Sequence, residues 1–286
     1  DSMALLYGLT LLRDEGGFRL AACHVQHGLR GESTRLDQRL TEELCVRWNV
    51  SLTVREAGLT GDMNTPGMET LAREKRRELF RQWMDELSAD ALLTAHHRDD
   101  QAETVLMHLL RGTGLRGMCG IQPVRDYLIR PLIAVTRQEV EAYCAENGID
   151  FVTDSTNFSE EYTRNRIRLR LIPELYVLNP ALPEAFAHLI EAMGEGYELV
   201  SREADRFLRT AGQYRGHTAC AAEAFLALPA AVRREVLSRL AGEEGGTLSH
   251  RQTGICTRLA AGGGVSEIGG GVRFCSRAGR IWMERQ

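Results

Sequence analysis

The chain has 286 residues, of which 43% are hydrophobic, and a formal net charge of −4 at pH 7. No apolar run reaches the ~18 residues that a transmembrane helix needs, and no signal peptide is visible, so we exclude a membrane-spanning protein and expect a cytoplasmic one. Seven cysteines without a C-x-x-C pair favour reduced thiols over a zinc or iron–sulfur site.

The first part of the chain predicts alternating helices and strands. We predict a helix over 3–17 that Gly16-Gly17 closes, further helices over 33–48 and 68–87, and strands over 18–25, 52–55 and 91–95. Ser2 is the expected N-cap of the first helix, whose apolar side carries Leu5, Leu6, Leu9 and Leu12. This order predicts a doubly wound parallel sheet, and we expect a further strand before Asp1.

The stretch 89–111 runs from a short buried strand into a helix, and the junction carries a group of polar side chains. A strand-to-helix junction lies at the carboxyl edge of a sheet, where α/β folds place ligands. Asp99 or Asp100 can cap the helix, whose apolar stripe is Ala102, Val105, Leu106, Leu109 and Leu110. The polar groups of the junction are His96, His97, Asp99, Asp100 and Glu103.

Asp100 and Glu103 form a like-charge pair at i,i+3 on this helix. Such a pair is unfavourable by roughly 0.2–0.5 kcal/mol unless a cation lies nearby. We therefore favour a pocket that handles a cation or a phosphate over an ordinary acidic helix start. The identity of the cation does not follow from these residues.

The next segments predict loops, one helix and a positive stretch. A glycine-rich loop over 111–121 precedes an edge strand or extended segment over 128–133, and Thr136 caps a helix that Gly148 ends. Four arginines fall within seven residues, at Arg164, Arg166, Arg168 and Arg170, and favour an anionic partner. The alternative is a helix that packs Ile167, Leu171 and Ile172 inward.

The last third predicts one long amphipathic helix followed by a small α+β module. The long helix covers about 180–211, further helices cover 230–242 and 249–261, and a β-hairpin turns at 277–279. We divide the chain into a catalytic domain (1–180), a connector helix (181–212) and a small domain (213–286). The small domain carries no catalytic constellation.

Several motifs, taken in this order, resemble the tRNA(Ile)-lysidine synthetase family, within the N-type ATP pyrophosphatases with a PP-loop. The likeness covers roughly residues 1–180, and the tail is similar to the family's first C-terminal domain. Asp1-Ser2 matches the end of the family's SGGxDS phosphate loop, so we expect the rest of that loop before Asp1. The other matching stretches are HVQHGLRGES (24–33), ExxARxxR (69–76), TAHHRDDQAET (94–104), LLRGTGLRGM (109–118), IRPL (129–132) and DSTN…RNRIR (154–168).

The resemblance implies a ligase that forms a carbon–nitrogen bond, with ATP, Mg²⁺, free L-lysine and tRNA(Ile) bearing a CAU anticodon. ATP would adenylate O2 of a cytidine in the anticodon and release pyrophosphate. The amine of lysine would then attack C2 and expel AMP, which gives lysidine. The small domain would bind the tRNA, and we leave a homodimer open.

The resemblance also implies residue roles. Asp1 would hold Mg²⁺, and Asp100 and Glu103 would pair with the lysine ammonium or with Mg²⁺. The expected catalytic residues are Asp1, Asp100, Glu103 and Arg164. The expected ATP-binding residues are Asp1, Ser2, His24, Arg30 and His96. The expected residues for lysine and tRNA are Asp100, Glu103, Arg76, Asp154, Asn157, Arg116 and Arg168.

Three alternatives remain open at this stage. A sulfur-transferring relative that modifies tRNA would share the adenylation step, but it would normally need paired reactive cysteines. A metal-dependent phosphoesterase would use the polar junction His96, His97, Asp99 and Asp100 as ligands. The third alternative is a binding module that has lost its chemistry.

Overall fold

The computed structural model describes residues 1–26, 32–58, 68–151 and 163–286, with the backbone alone at 32–35, 69, 70 and 73. The chain forms two compact units, Asp1–Ile190 and Glu191–Gln286. The helices are α1 Ser2–Gly16, α2 Glu32–Arg47, α3 Met68–Leu87, α4 Arg98–Arg111, α5 Leu115–Met118, α6 Arg137–Glu146, α7 Thr163–Arg166, α8 Ile172–Leu178, α9 Leu182–Leu208, α10 Ala222–Ala227, α11 Ala230–Glu243 and α12 His250–Gly262. The strands are β1 Ala21–Gln26, β2 Ser51–Glu56, β3 Leu92–Leu93, β4 Val124–Arg125, β5 Leu128–Ile129, β6 Gly212–Tyr214, β7 His217–Ala221, β8 Gly264–Glu267, β9 Val272–Arg277 and β10 Arg280–Arg285.

The first unit has the predicted alternation of helices and strands. Strands β1 and β2 pair in parallel, and β3 pairs in parallel with β5. Helix α3 has the predicted bounds, and α6 begins with a capping box in which Thr136 and Glu139 bond each other's backbone N–H groups. The predicted α/β fold with a parallel sheet is therefore confirmed; the described strands form one pair, β1-β2, and a sheet β3-β5-β4 in which β4 is antiparallel to β5.

Four details of the predicted strands and caps were wrong. Strand β5 lies between β3 and β4 and is not at an edge, and β3 has two residues where five were predicted. The predicted strand over 18–25 begins only at Ala21. Asp1, not Ser2, is the N-cap of α1. Strand β4 was missed because it has two exposed residues and so shows no apolar alternation.

The core of the first unit consists of several small clusters of buried side chains. Ala4 of α1 packs with Val140 and Cys144 of α6, while Trp83 packs with Leu92 of β3. The predicted apolar stripes were too long, because Leu12 of α1 is 55% exposed and Leu109 and Leu110 of α4 are 59% and 64% exposed. In both helices the first turns are covered by other side chains, whereas the C-terminal turns are open to solvent.

The second unit packs helices against one face of a five-stranded sheet with the order β6-β7-β10-β9-β8. Phe225, Phe274 and Ile281 are fully buried in its core. The predicted hairpin is confirmed, with Ala278 and Gly279 at φ 51° and 72° in its two-residue turn. The long helix is also confirmed as α9, whereas the domain boundaries stay predictions. In the described part of the chain, no helix is both long and apolar enough to cross a membrane.

Candidate functional site

Three helix N-termini meet at the junction that follows β3. His97 is the N-cap residue of α4, and its backbone N–H donates to Oδ2 of Asp100 at 3.0 Å. Asp99 accepts a hydrogen bond of 2.9 Å from the backbone N–H of Arg137, the first residue of α6. Asp1 is the N-cap of α1. The positive ends of three helix dipoles therefore offset three neighbouring carboxylates.

The imidazole of His97 lies among these three carboxylates. Its Nε2 is 3.6 Å from Oδ2 of Asp1 and 3.6 Å from Oδ2 of Asp100, and its Nδ1 is 3.5 Å from Oδ2 of Asp99. The His97 side chain and the Arg137 N–H both lower the pKa of Asp99, against a raising effect of burial. We call His97, Asp1, Asp99 and Asp100 the three-helix junction.

Two arginines neutralise the acidic pair of α4. Arg164 donates from Nε to Glu103 at 2.6 Å and from Nη2 to Asp100 at 2.8 Å. Arg168 donates from Nε to Oε1 of Glu103 and from Nη2 to Oε2 at 3.1 Å. The cation that the like-charge pair requires is thus supplied by the protein. We call Asp100, Glu103, Arg164 and Arg168 the acid–arginine cluster.

The arginine stretch divides into inward and outward side chains. A π-helical turn, Ile167–Leu171, separates α7 from α8, and Ile167 is buried in it. Arg164 and Arg168 face α4, whereas Arg166 and Arg170 are exposed. The packed helix and the charged surface, posed as alternatives from the sequence, therefore occur together. The π turn was not predicted, although such turns are frequent at functional sites.

His96 is half-buried in positive surroundings. Its Nδ1 is 3.0 Å from the hydroxyl of Thr94. Burial, together with the nearby guanidiniums of Arg130, Arg164 and Arg76, lowers its pKa to about 4, against the raising effect of Asp100. The imidazole is therefore neutral at pH 7, and the arginines leave this point suited to an anionic group.

The other predicted residues are less closely connected to this site. Ser2 is exposed in the first turn of α1, and Arg116 is exposed in α5. His24 is half-buried in β1, and burial lowers its pKa. Neither His24 nor Arg116 bonds to the acid–arginine cluster. Arg30, Asp154 and Asn157 lie outside the described residues.

Mg²⁺ fits the chemistry of Asp1, because an exposed carboxylate is a preferred ligand of this ion. Within the described ranges, no three His, Cys, Asp or Glu side chains are grouped as a metal site.

The cysteines do not favour sulfur transfer. All seven are free thiols, and six of them are buried. Burial raises the pKa of Cys23 to about 11 and also raises the pKa values of Cys45, Cys119 and Cys144. A protonated thiol is a poor nucleophile and metal ligand.

Comparison with known proteins identifies one matching family and several curated relatives. A family model described as the PP-loop domain matches residues 1–175. A tRNA(Ile)-lysidine synthase of Bacteroides thetaiotaomicron is 39% identical over 184 residues, which cover 64% of this chain and 42% of that protein. Proteins of the same name from Solibacter usitatus and Geobacillus kaustophilus are 38% and 34% identical, each covering 84% of this chain and 53% of the relative. The chain spans about half the length of the curated relatives it matches.

One solved structure shares the fold. It is the U34-tRNA thiolase NcsA from Methanococcus maripaludis with its [4Fe-4S] cluster, with a TM-score of 0.54 and 15% sequence identity. The match covers 68% of this chain and 69% of that chain. This likeness supports an α/β fold of the same kind and carries no statement about chemistry.

Proposed function

We propose, since the chain belongs to the family of PP-loop domains, that it uses ATP to attach lysine to a cytidine of isoleucine tRNA. The observation that carries this proposal is the 34–39% identity to proteins named tRNA(Ile)-lysidine synthase, over 64–84% of the chain. In the first step, O2 of the cytidine attacks the α-phosphate of ATP and releases pyrophosphate. In the second, the amine of free L-lysine attacks C2, AMP leaves, and a carbon–nitrogen bond is formed.

The three-helix junction and the arginines near His96 suit the adenylation step. Asp1 would hold Mg²⁺, which neutralises phosphate charge. The N–H groups of the first turn of α1, including that of Ser2, would bind pyrophosphate. The lowered pKa of His96, about 4, keeps its imidazole neutral at pH 7. The charge beside the phosphates therefore does not change with pH near neutrality. Arg76, Arg130 and Arg164 would stabilise the charge that develops there.

The acid–arginine cluster suits the lysine step. Asp100 and Glu103 already neutralise Arg164 and Arg168, so the ammonium of lysine either joins this network or displaces a guanidinium from it. Asp100 is the more accessible acid, since its side chain is 12% exposed and that of Glu103 is 1% exposed. We therefore propose Asp100 as the first contact of the ammonium.

The second unit supports a tRNA partner. Arg215, Arg277 and Arg280 are exposed, and they form no ion pair with the described residues. Arg277 lies directly opposite Arg280 across the β9–β10 hairpin, an arrangement that is unfavourable without an anion. The guanidiniums of Arg215 and Arg280 both stack on the ring of Tyr214, at 5.5 and 5.4 Å from its centroid. Planar guanidiniums held in this way match phosphate geometry.

The test separates the two steps in the full-length protein. Pyrophosphate release and incorporation of labelled lysine into tRNA(Ile) are measured for wild type, Asp100→Asn and Glu103→Gln. We expect lysine incorporation only with ATP, and we expect D100N to raise the KM for lysine while part of the pyrophosphate release persists. Equal loss of both steps with partial rescue by extra Mg²⁺ would assign the acids to the metal. Lysine incorporation without ATP would contradict the proposed function.

Two further features belong to this proposal. We propose a cytoplasmic location, because the seven cysteines are all thiols and the cytosol keeps thiols reduced. We also keep the homodimer as a prediction, which light scattering of the full-length protein would test.

A further inference from the structure

The side chain of His97 is unusual for the position that it occupies. Helix N-caps are normally short side chains, whereas the N-cap of α4 is a bulky imidazole, which forms a capping box with Asp100. The side chain is only 3% exposed, and its Nδ1 lies 3.5 Å from Oδ2 of Asp99. A short side chain would complete the same capping box, so helix capping alone does not explain why an imidazole is buried here.

The three carboxylates around His97 differ in the other hydrogen bonds and ion pairs that they form. Asp99 accepts a hydrogen bond from the N–H of Arg137, and Asp100 is bonded by the N–H of His97 and by Arg164. Across the described ranges, the carboxylate of Asp1 forms one ion-pair contact, with Nε2 of His97 at 3.6 Å. If the imidazole were removed, Asp99 and Asp100 would keep these hydrogen bonds, whereas Asp1 would lose its ion-pair contact.

We propose that His97 is a positioning residue that orients the carboxylate of Asp1 toward Mg²⁺ and the ATP phosphates. This inference rests on the proposed function, in which Asp1 is the metal ligand. Residues that hold a metal ligand in place typically change metal affinity by about 10–100-fold when they are replaced. Because Nε2 lies equally close to Asp100, His97 also connects the nucleotide end of the site to the acid–arginine cluster.

The experiment measures ATP binding to the full-length protein by calorimetry, once with Mg²⁺ and once with EDTA. We expect His97→Ala to weaken binding of ATP–Mg²⁺ by about 10-fold or more and to leave binding of Mg²⁺-free ATP unchanged. His97→Gln, which keeps an N–H donor on a side chain of similar length, should restore part of the affinity and guards against misfolding of the alanine variant. Thermal unfolding of each variant is recorded beside the binding data.

A double-mutant cycle with Asp1→Ala tests whether His97 acts through Asp1. If it does, the loss in D1A/H97A equals the loss in D1A alone, because the ligand that His97 orients is already absent. Additive losses, or an H97A affinity equal to wild type, would overturn the inference. His217→Gln is the matched control, since His217 is a half-buried histidine that contacts a single carboxylate, Glu244, in the second unit.

The same series distinguishes this inference from the proposed function. If wild type incorporates lysine in an ATP-dependent way but D1A binds ATP–Mg²⁺ normally, the role of His97 fails and the proposed reaction stands. If wild type shows no such incorporation, the proposed reaction itself fails.

Discussion

At the residue scale, the buried carboxylate of Glu103 pairs with both arginines of the acid–arginine cluster. Its two oxygens accept hydrogen bonds from Arg164 and Arg168, and its side chain is 1% exposed. A buried charge that loses its partner is costly, because neither water nor another ion replaces the lost contact. Glu103 therefore contributes to stability as well as to the proposed chemistry.

We expect Glu103→Gln to lower the free energy of unfolding by about 3 kcal/mol, the lower end of the range for broken buried pairs, because both guanidiniums keep partial contact with water. The matched control is Glu141→Gln, which breaks an exposed i,i+4 pair with Arg137 and should cost less than about 0.5 kcal/mol. Urea unfolding measures both. Equal effects would mean that the acid–arginine cluster is not a stabilising network.

The lowered pKa of His96 predicts a pH-dependent contribution to stability. Its pKa is about 4 in the folded protein and about 6.5 in an unfolded chain, so the unfolded state binds more protons between these values. The contribution is complete above pH 6.5 and is lost as pH falls toward 4. Relative to His96→Gln, wild type should lose up to about 1.4 kcal/mol per pH unit in this window. His188→Gln, at an exposed histidine, should leave the profile unchanged, and parallel profiles for wild type and H96Q would contradict the shift.

Part of this site follows from the sequence, and part depends on contacts between distant residues. The i,i+3 spacing of Asp100 and Glu103 predicts that a cation lies nearby. Arg164 and Arg168 are more than 60 residues away in the chain, so local spacing cannot identify them as that cation. The sequence places His97 among the polar groups of the junction and offers it as a metal ligand, but its contact with Asp1 depends on where α1 begins.

At the scale of elements, the start of α4 is joined to the loop that follows α5. The amide of Gln101 donates to the carbonyl of Ile121 at 2.8 Å and accepts from its N–H at 2.6 Å. Gly120, beside this pair, has φ 61°, and a Cβ there would lie 2.4 Å from Oε1 of Gln101. The glycine is therefore required both by its backbone angle and by the close approach of Gln101.

We expect Gly120→Ala to destabilise the protein more than Gly148→Ala. Gly148 has nearly the same φ, 60°, but its Cβ would contact nothing within 4 Å. G148A should thus show the left-handed strain alone, about 1 kcal/mol. G120A should add about 1–3 kcal/mol, because the paired hydrogen bonds between Gln101 and Ile121 would have to break. Chemical unfolding compares the two, and equal losses would rule out the clash.

The elements that the sequence predicted best are the long helices and a hairpin whose turn contains a glycine. Helices α3 and α9 and the hairpin at Ala278–Gly279 are of this kind. Strands β3, β4 and β5 have two residues each, and they are defined by pairing with one another more than by their own pattern. Such strands cannot be bounded from local sequence, because alternation needs four or more residues to appear.

At the scale of the whole molecule, the negative net charge conceals local positive surfaces. The chain has a net charge of −4, yet exposed arginines occur at two places. Arg166 and Arg170 are in the first unit, and Arg215, Arg277 and Arg280 are in the second. Attraction to RNA depends on this local charge more than on the sum.

We expect tRNA affinity to fall as salt is raised, and the slope of log affinity against log salt to decrease by about one for each phosphate contact removed. Arg215→Ala and Arg280→Ala should each reduce both affinity and slope. Arg202→Ala, an exposed arginine of the same unit that pairs with Glu198 on α9, is the control. Filter binding at several salt concentrations measures the slopes. Slopes equal to that of wild type would exclude Arg215 and Arg280 from the tRNA interface.

Buried cysteines lie in both units, so their reactivity can report local unfolding of each unit. Cys23, Cys45, Cys119 and Cys144 lie in the first unit and Cys220, Cys256 and Cys275 in the second. Burial raises the pKa of the last three to about 11, so a maleimide should react with them only when the surrounding structure opens. The labelling rates of individual cysteines, followed by mass spectrometry, would thus give the opening free energy of each unit separately in a protein with no substitution.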